Sequence, residues 1–162
     1  MSEIDTTTEE TIGLRMTRTL PATPDEVFDA YTDAEKQKTW FSILDEEPGI
    51  VEITVDLRVG GTQVAVWGPD RDTLFREEQV FLEIDRPHRL VTSSTGSDPS
   101  GQTMSTRIEI TFEAVDGGTL VTVVQTGFPT PEVRDFFAST AWVGAFDRIE
   151  AYLRETTTPV VE

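Results

Sequence analysis

Cysteine is absent from the 162 residues, which removes disulfides, thiolate metal sites and cysteine nucleophiles from consideration. Histidine occurs once, at His88, so a zinc or iron site lacks ligands of the usual kinds, and neither metal nor cofactor is expected. In "DRPHRL" that histidine follows a proline between two strand-like segments, the setting of a solvated turn residue rather than a general base. No run of eighteen apolar residues occurs, and the opening "MSEIDTTTEETIG" is polar and acidic. The chain is therefore read as soluble and cytoplasmic, with neither a membrane span nor a secretory signal. Basic residues are scarce as well: thirteen stand against thirty acidic ones, giving a formal charge of −17. Such a surface repels phosphate backbones and anionic membranes, so nucleic acid and membrane are not expected partners. Only Lys36 and Lys38 are lysines; a solubilising surface with biased codon usage and an adaptation to high salt both account for that.

What is present fits one domain with a single core. Residues 1–11 and 155–162 lack apolar periodicity and are expected to be frayed tails around a folded part spanning 12–154. Leu14, Met16, Arg18 and Leu20 alternate with polar residues, the period of a strand. In "LPATPDE", Thr23, Pro24 and Glu26 have the spacing of a capping box with proline at the first helical position. A short helix through Tyr31 and a second, starting at Asp33 and ending near Trp40 and Phe41, follow. From 49 to 126 the period is two almost throughout, with Glu78, Val80, Leu82 and Ile84 assigned to one face and a mobile hairpin loop over 94–102. Closely spaced consecutive strands argue for an antiparallel meander of five or six. Beyond "TGFPTPE", Ala138, Trp142, Ala145, Phe146, Ile149, Tyr152 and Leu153 recur at spacings of three and four, one apolar stripe on a long helix. At 1.5 Å per residue such a helix is about 30 Å long and can lie across a sheet.

The pair Gly60-Gly61 in "DLRVGGTQVAVW" poses a choice between a phosphate-binding loop and a turn. A phosphate loop leads into a helix with a lysine following; here the glycines lead into alternating residues 63–67, so they turn one strand into the next. Gly61 is also expected to let the helix pack close. The carboxylates of Asp45-Glu46-Glu47 and Glu77-Glu78 fall in runs that mark a solvated face, and no catalytic residue is assigned.

Aromatic residues carry more information. Trp40, Phe41, Trp67, Phe75, Phe81, Phe112, Phe128, Trp142 and Phe146 are spread over short helices, sheet and long helix. They serve either as ordinary core or, collectively, as the lining of a wedge between helix and sheet. Arg18 shares its face with Leu14, Met16 and Leu20: turned inward it must meet a carboxylate or a ligand anion, turned outward it is a surface residue. Arg18, Trp40, Phe41, Trp67, Phe112, Phe128, Trp142 and Phe146 are the eight residues of the candidate ligand-binding set.

The order strand, two short helices, meander, long helix resembles the α+β helix-grip proteins of the START/Bet v 1-like (SRPBCC) superfamily. Within it the chain is similar to the family of the activator of Hsp90 ATPase. The segments carrying the resemblance are "RTLPATPDEVFDAYTDAEKQKTWF", "DLRVGGTQVAVW", "FLEIDRPHRLVTS", "GGTLVTVVQTGFP" and "AWVGAFDRIEAYL", which span most of 14–153. The resemblance implies a curved sheet of about six strands wrapped around the C-terminal helix, and a cavity for small apolar or amphipathic molecules. It carries no shared catalytic set. In that family the helix usually begins with Gly-Trp, where this chain has Ala141-Trp142. The eukaryotic co-chaperone engages Hsp90 through a separate N-terminal domain, whereas about a dozen polar residues precede the first strand here. The leading expectation is a non-enzymatic binding protein for a small hydrophobic ligand, as monomer or homodimer. A co-chaperone module with a protein partner is the alternative, and a cyclase or hydrolase the third reading.

Overall fold

The computed structural model describes residues 12–45 and 49–157. Strand β1 (Gly13–Leu20) is followed by helices α1 (Pro24–Thr32) and α2 (Ala34–Phe41). Six strands come next: β2 (Ile50–Val55), β3 (Thr62–Gly68), β4 (Phe75–Asp85), β5 (Arg89–Ser97), β6 (Thr103–Val115) and β7 (Gly118–Thr126). A C-terminal helical run consists of α3 (Pro131–Phe136), a π-helical turn (Phe137–Ala141) and α4 (Trp142–Thr157). All strands pair antiparallel in one sheet of order β1-β7-β6-β5-β4-β3-β2. The meander expected from the sequence is six strands long, and β1 folds back beside β7, so the sheet has seven strands rather than about six.

The helices begin where side chains satisfy their free N–H groups. Glu26 N donates to Thr23 Oγ1 at 3.3 Å while Thr23 N donates to Glu26 Oε1 at 2.9 Å, completing the expected capping box with Pro24 at the first position. Asp33 Oδ1 accepts from Glu35 N and Lys36 N and starts α2. The apolar stripe of the long helix faces the sheet: Phe146, Ile149, Tyr152 and Leu153 are buried, and Ala138, Trp142 and Ala145 are half-buried. They meet Leu14 and Leu20 of β1, Ile108, Ile110 and Phe112 of β6, Val121 and Val123 of β7, and Val27 and Phe28 of α1. Each such side chain contributes about 1.5–3 kcal/mol by leaving water. α4 continues to Thr157, and the tails expected at 1–11 and from 158 onward lie outside the described residues.

Three local expectations are corrected. On β4 the inward residues are Phe75, Glu77, Gln79, Phe81 and then Ile84; a bulge between Phe81 and Glu83 shifts the alternation, so Glu78, Val80, Leu82 and Ile84 do not share one face. The 94–102 loop is shorter than expected, because β5 runs through Ser97 and β6 starts at Thr103; Ser and Thr pair across the ladder as well as apolar residues do, and Thr95 and Ser105 face each other. What remains is closed by Asp98, whose Oδ1 accepts from Ser100 N, Ser100 Oγ and Gln102 N. Gly60 and Gly61 do form a turn, with Gly60 at φ +85°. The crowding at Gly61, however, comes from the chain itself: a Cβ there would lie 2.2 Å from the Asp56 carbonyl oxygen, and no helix is the reason. The turn is pinned to β4 by Gly60 N donating to Phe81 O at 2.8 Å and Phe81 N to Gly61 O at 3.0 Å.

Candidate functional site

At the β3–β4 side of the sheet the inner face departs from an ordinary core. Because Gln63, Ala65 and Trp67 alternate inward on β3 and Phe75, Glu77 and Gln79 do so on β4, register places Trp67 opposite Phe75 and Ala65 opposite Glu77. Trp67 and Phe75 stack with ring centroids 5.8 Å apart at 13°, and Phe41 of α2 meets Trp67 edge-on at 5.6 Å. Trp40 lies behind Phe41 at 4.9 Å, buried, with Nε1 donating to Ala30 O at 2.8 Å. Phe41 and Trp67 are half-buried and Phe75 is 38% exposed, so a wall of three rings on the core side of the sheet stays open to solvent.

Glu77 stands beside this wall. Gly96 on β5 is its other cross-strand neighbour, and Gly96 in turn pairs with Met104 on β6, so the β5 position directly opposite Glu77 carries no side chain. Ser94 Oγ donates to Glu77 Oε2 at 2.6 Å, and the Gln79 side chain also hydrogen-bonds it. Burial pushes the carboxyl above its usual range, and those two hydrogen bonds offset this only in part. The residue keeps intermediate exposure, and its hydrogen bond to Ser94 is partly buried, so the carboxyl lies between the core and solvent.

Polar side chains continue inward from there. Gln63, Gln79, Ser94 and Thr106 stand in one cross-strand row on β3, β4, β5 and β6. Thr92 Oγ1 donates to Gln79 Oε1 at 2.7 Å. Gln63 and Gln37 of α2, both buried, exchange two amide hydrogen bonds of 3.1 Å and tie α2 to β3. On the far side, Trp142 Nε1 donates to Gln125 Oε1 at 2.8 Å, and Gln125 Nε2 donates to Thr106 Oγ1 at 2.9 Å. A row of this kind inside a sheet is costly unless every member is paired. Here the pairing falls into three groups: Gln37 with Gln63 ties α2 to β3, Thr92, Gln79, Glu77 and Ser94 tie β4 to β5, and Thr106, Gln125 and Trp142 tie β6 and β7 to the long helix.

The eight residues singled out from the sequence divide into separate groups. Trp40, Phe41 and Trp67 come together as described. Trp142 and Phe146 pack at 5.8 Å, with the Arg18 guanidinium carbon 5.8 Å from the Phe146 ring centre. Arg18 takes the inward alternative and meets carboxylates: Asp147 and Glu150 of α4 each accept from its Nη2 at 2.8 Å, at a rim where Arg18 is 30% exposed. Phe112 is buried against Phe28 and Tyr31 at 5.4 and 5.8 Å, and Phe128 against Phe137 at 5.2 Å. Glu77, Gln79 and the polar row were not singled out. The signal lay in "FREEQVFLEID", where residues 75, 77, 79 and 81 read aromatic, acid, amide, aromatic, but the bulge made the apolar even-numbered residues look like the inner face. Among the described residues there is no group of three or more potential metal ligands, and no helix long and apolar enough to cross a membrane.

The fold is shared with solved bacterial proteins. An uncharacterized protein from Rhizobium leguminosarum superposes with a TM-score of 0.75 at 23% identity, over 90% of this chain and 96% of that one. A Rhizobium loti protein gives 0.72 at 24% identity, over 88% and 97%, and one from Mycobacterium smegmatis 0.69 at 20%, over 93% and 92%. At these identities the likeness is one of fold. No curated protein matches the chain significantly. The sequence model of the activator of Hsp90 ATPase homolog 1-like proteins matches residues 21–154, the two short helices, the meander and almost all of the long helix. The chain belongs to the family of activator of Hsp90 ATPase homolog 1-like proteins.

Proposed function

We propose that this protein binds a small apolar or amphipathic molecule on the inner face of its sheet, between β3–β4 and the helices. The carrying observation is the ring wall Phe41–Trp67–Phe75, which faces the interior and yet remains partly exposed. Large aromatic rings on a core-side face contribute most when covered, and an apolar ligand would remove the remaining area from water. The buried rings Trp40, Phe112, Phe128 and Phe146 hold the wall and the helices in place rather than offering free surface. The polar groups beside the wall, Glu77, Ser94, Gln79 and Thr92, hydrogen-bond one another and give this face a polar end at which an amphipathic guest can be oriented.

Native mass spectrometry of protein purified without detergent tests this, before and after addition of octanol. The expected result is a non-covalent adduct in the wild type that is lost on denaturation and depleted in Trp67→Ala. Only the apo mass in the wild type with octanol present, or an equal adduct in Trp67→Ala, would overturn the reading.

A further inference from the structure

Resting on that reading, the geometry points to a ligand class: an amphipathic amine, its cationic head at Glu77 and its apolar body along Trp67 and Phe75. Three observations on this face converge. Glu77 is an acid on the inner face whose hydrogen-bond partners, Ser94 and Gln79, are both neutral. Elsewhere the chain pairs its acids readily: Glu52, Glu78, Glu83, Glu109, Asp147 and Glu150 each meet an arginine. Among the described residues no lysine or arginine pairs with Glu77, so the site supplies a negative group without its countercharge. A buried carboxylate without a cation is costly, and an incoming ammonium supplies the missing half of the pair.

The surroundings suit a cation in particular. Trp67 and Phe75 are on the strand pair that carries Glu77, and Phe75 precedes it by two residues on the same face; aromatic faces attract an ammonium or its attached methylenes. Gly96, opposite Glu77, leaves a gap where any other residue would place a Cβ, whose nearest neighbour, the Arg76 carbonyl oxygen, is 3.7 Å away. An ammonium donates three hydrogen bonds, and the acceptors at hand are the two oxygens of the Glu77 carboxylate and the hydroxyl oxygen of Ser94. A carboxylate ligand would face Glu77 as a like charge, and an alcohol would make a hydrogen bond without the charge.

Calorimetric titration with octylammonium, octanol and octanoate tests the class, run in 0.5 M NaCl so that the overall acidic surface is screened. Wild-type protein should bind octylammonium about tenfold more tightly than octanol, with octanoate weakest. Glu77→Gln should lose that tenfold preference while keeping octanol binding within about threefold. Glu113→Gln removes one exposed acid and should change nothing, which separates the site from general attraction to an acidic surface. If octanoate binds as tightly as octylammonium, or the preference survives in Glu77→Gln, the amine inference falls while octanol binding keeps the cleft reading. If none of the three binds, both fall. Should Glu77→Gln fail to fold, the wild-type ranking of the three probes decides alone.

Discussion

The amide pair Gln37–Gln63 offers a quantitative test of how the candidate wall is held. Both side chains are buried, at 2% and 8% exposure, and each gives one hydrogen bond to the other and takes one, at 3.1 Å. Replacing either one with methionine, close to glutamine in shape, leaves the partner's donor and acceptor unmet in the interior. An unsatisfied buried polar group costs about 1–3 kcal/mol, so each single variant should lose about 2 kcal/mol. In a domain of this size that corresponds to a melting temperature lower by about 4–8 °C. The double variant places two thioethers side by side with nothing left unpaired, and should return to within about 1 kcal/mol of the wild type. The coupling energy of the cycle is then about 3 kcal/mol. Urea unfolding of the four proteins, monitored by circular dichroism, measures it. Singles that simply add in the double would refute the claim that the pair, rather than either residue's packing, ties α2 and Phe41 to β3 and Trp67.

Other expectations follow from the same contacts. Glu77 titrates above the usual carboxyl range in the folded protein, mainly because it is buried, so the native state binds more protons than the unfolded chain; stability should fall as pH rises from the ordinary value toward the folded one, and Glu77→Gln should gain on the wild type over that interval in thermal melts. Glu150 is held below its usual range, first by Arg154 and then by Arg18, so its contribution is present above the ordinary carboxyl range and is lost as pH falls through the folded value; Glu150→Gln should flatten that acid limb. Trp142→Phe keeps the ring contact with Phe146 but removes the donor to Gln125 Oε1, and should cost about 1–2 kcal/mol in chemical unfolding. Gly118→Ala should abolish soluble expression or lower the melting temperature far more than Gly117→Ala: both have positive φ, but a Cβ at 118 would lie 1.9 Å from the Leu20 carbonyl oxygen, whereas at 117 it meets open space.

Much of the architecture was legible because each element announced itself locally. Thr23, Pro24 and Glu26 fix the start of α1 through backbone chemistry alone, and the three-four spacing from Ala138 to Leu153 fixes the buried face of the long helix. The edge position of β1 was not legible: its alternation says strand, while its partner, β7, lies about a hundred residues away in sequence. The candidate site was legible in part. Phe41 and Trp67 stood out as aromatic residues, and Arg18 was recognised as needing a carboxylate if turned inward, which Asp147 and Glu150 provide. Glu77 was hidden by its neighbours. In a run containing Glu78, it reads as surface, and only the register with Ala65 and Gly96, together with the bulge near Leu82, turns it inward. The polar row had no local signal, since Gln63, Gln79, Ser94 and Thr106 come from four strands and meet only through pairing.

The central claim is that the guest lies on the inner face beside Trp67 and Glu77, and methyl-resolved NMR during titration with octylammonium tests it most directly. The account predicts that the Ala65 and Met104 methyls and the Trp67 indole shift together and saturate, while Ala22 and Ala114, which line an open groove between the start of α1 and the β6–β7 turn, stay unchanged. Shifts confined to Ala22 and Ala114, with Ala65, Trp67 and Met104 unmoved, would contradict it.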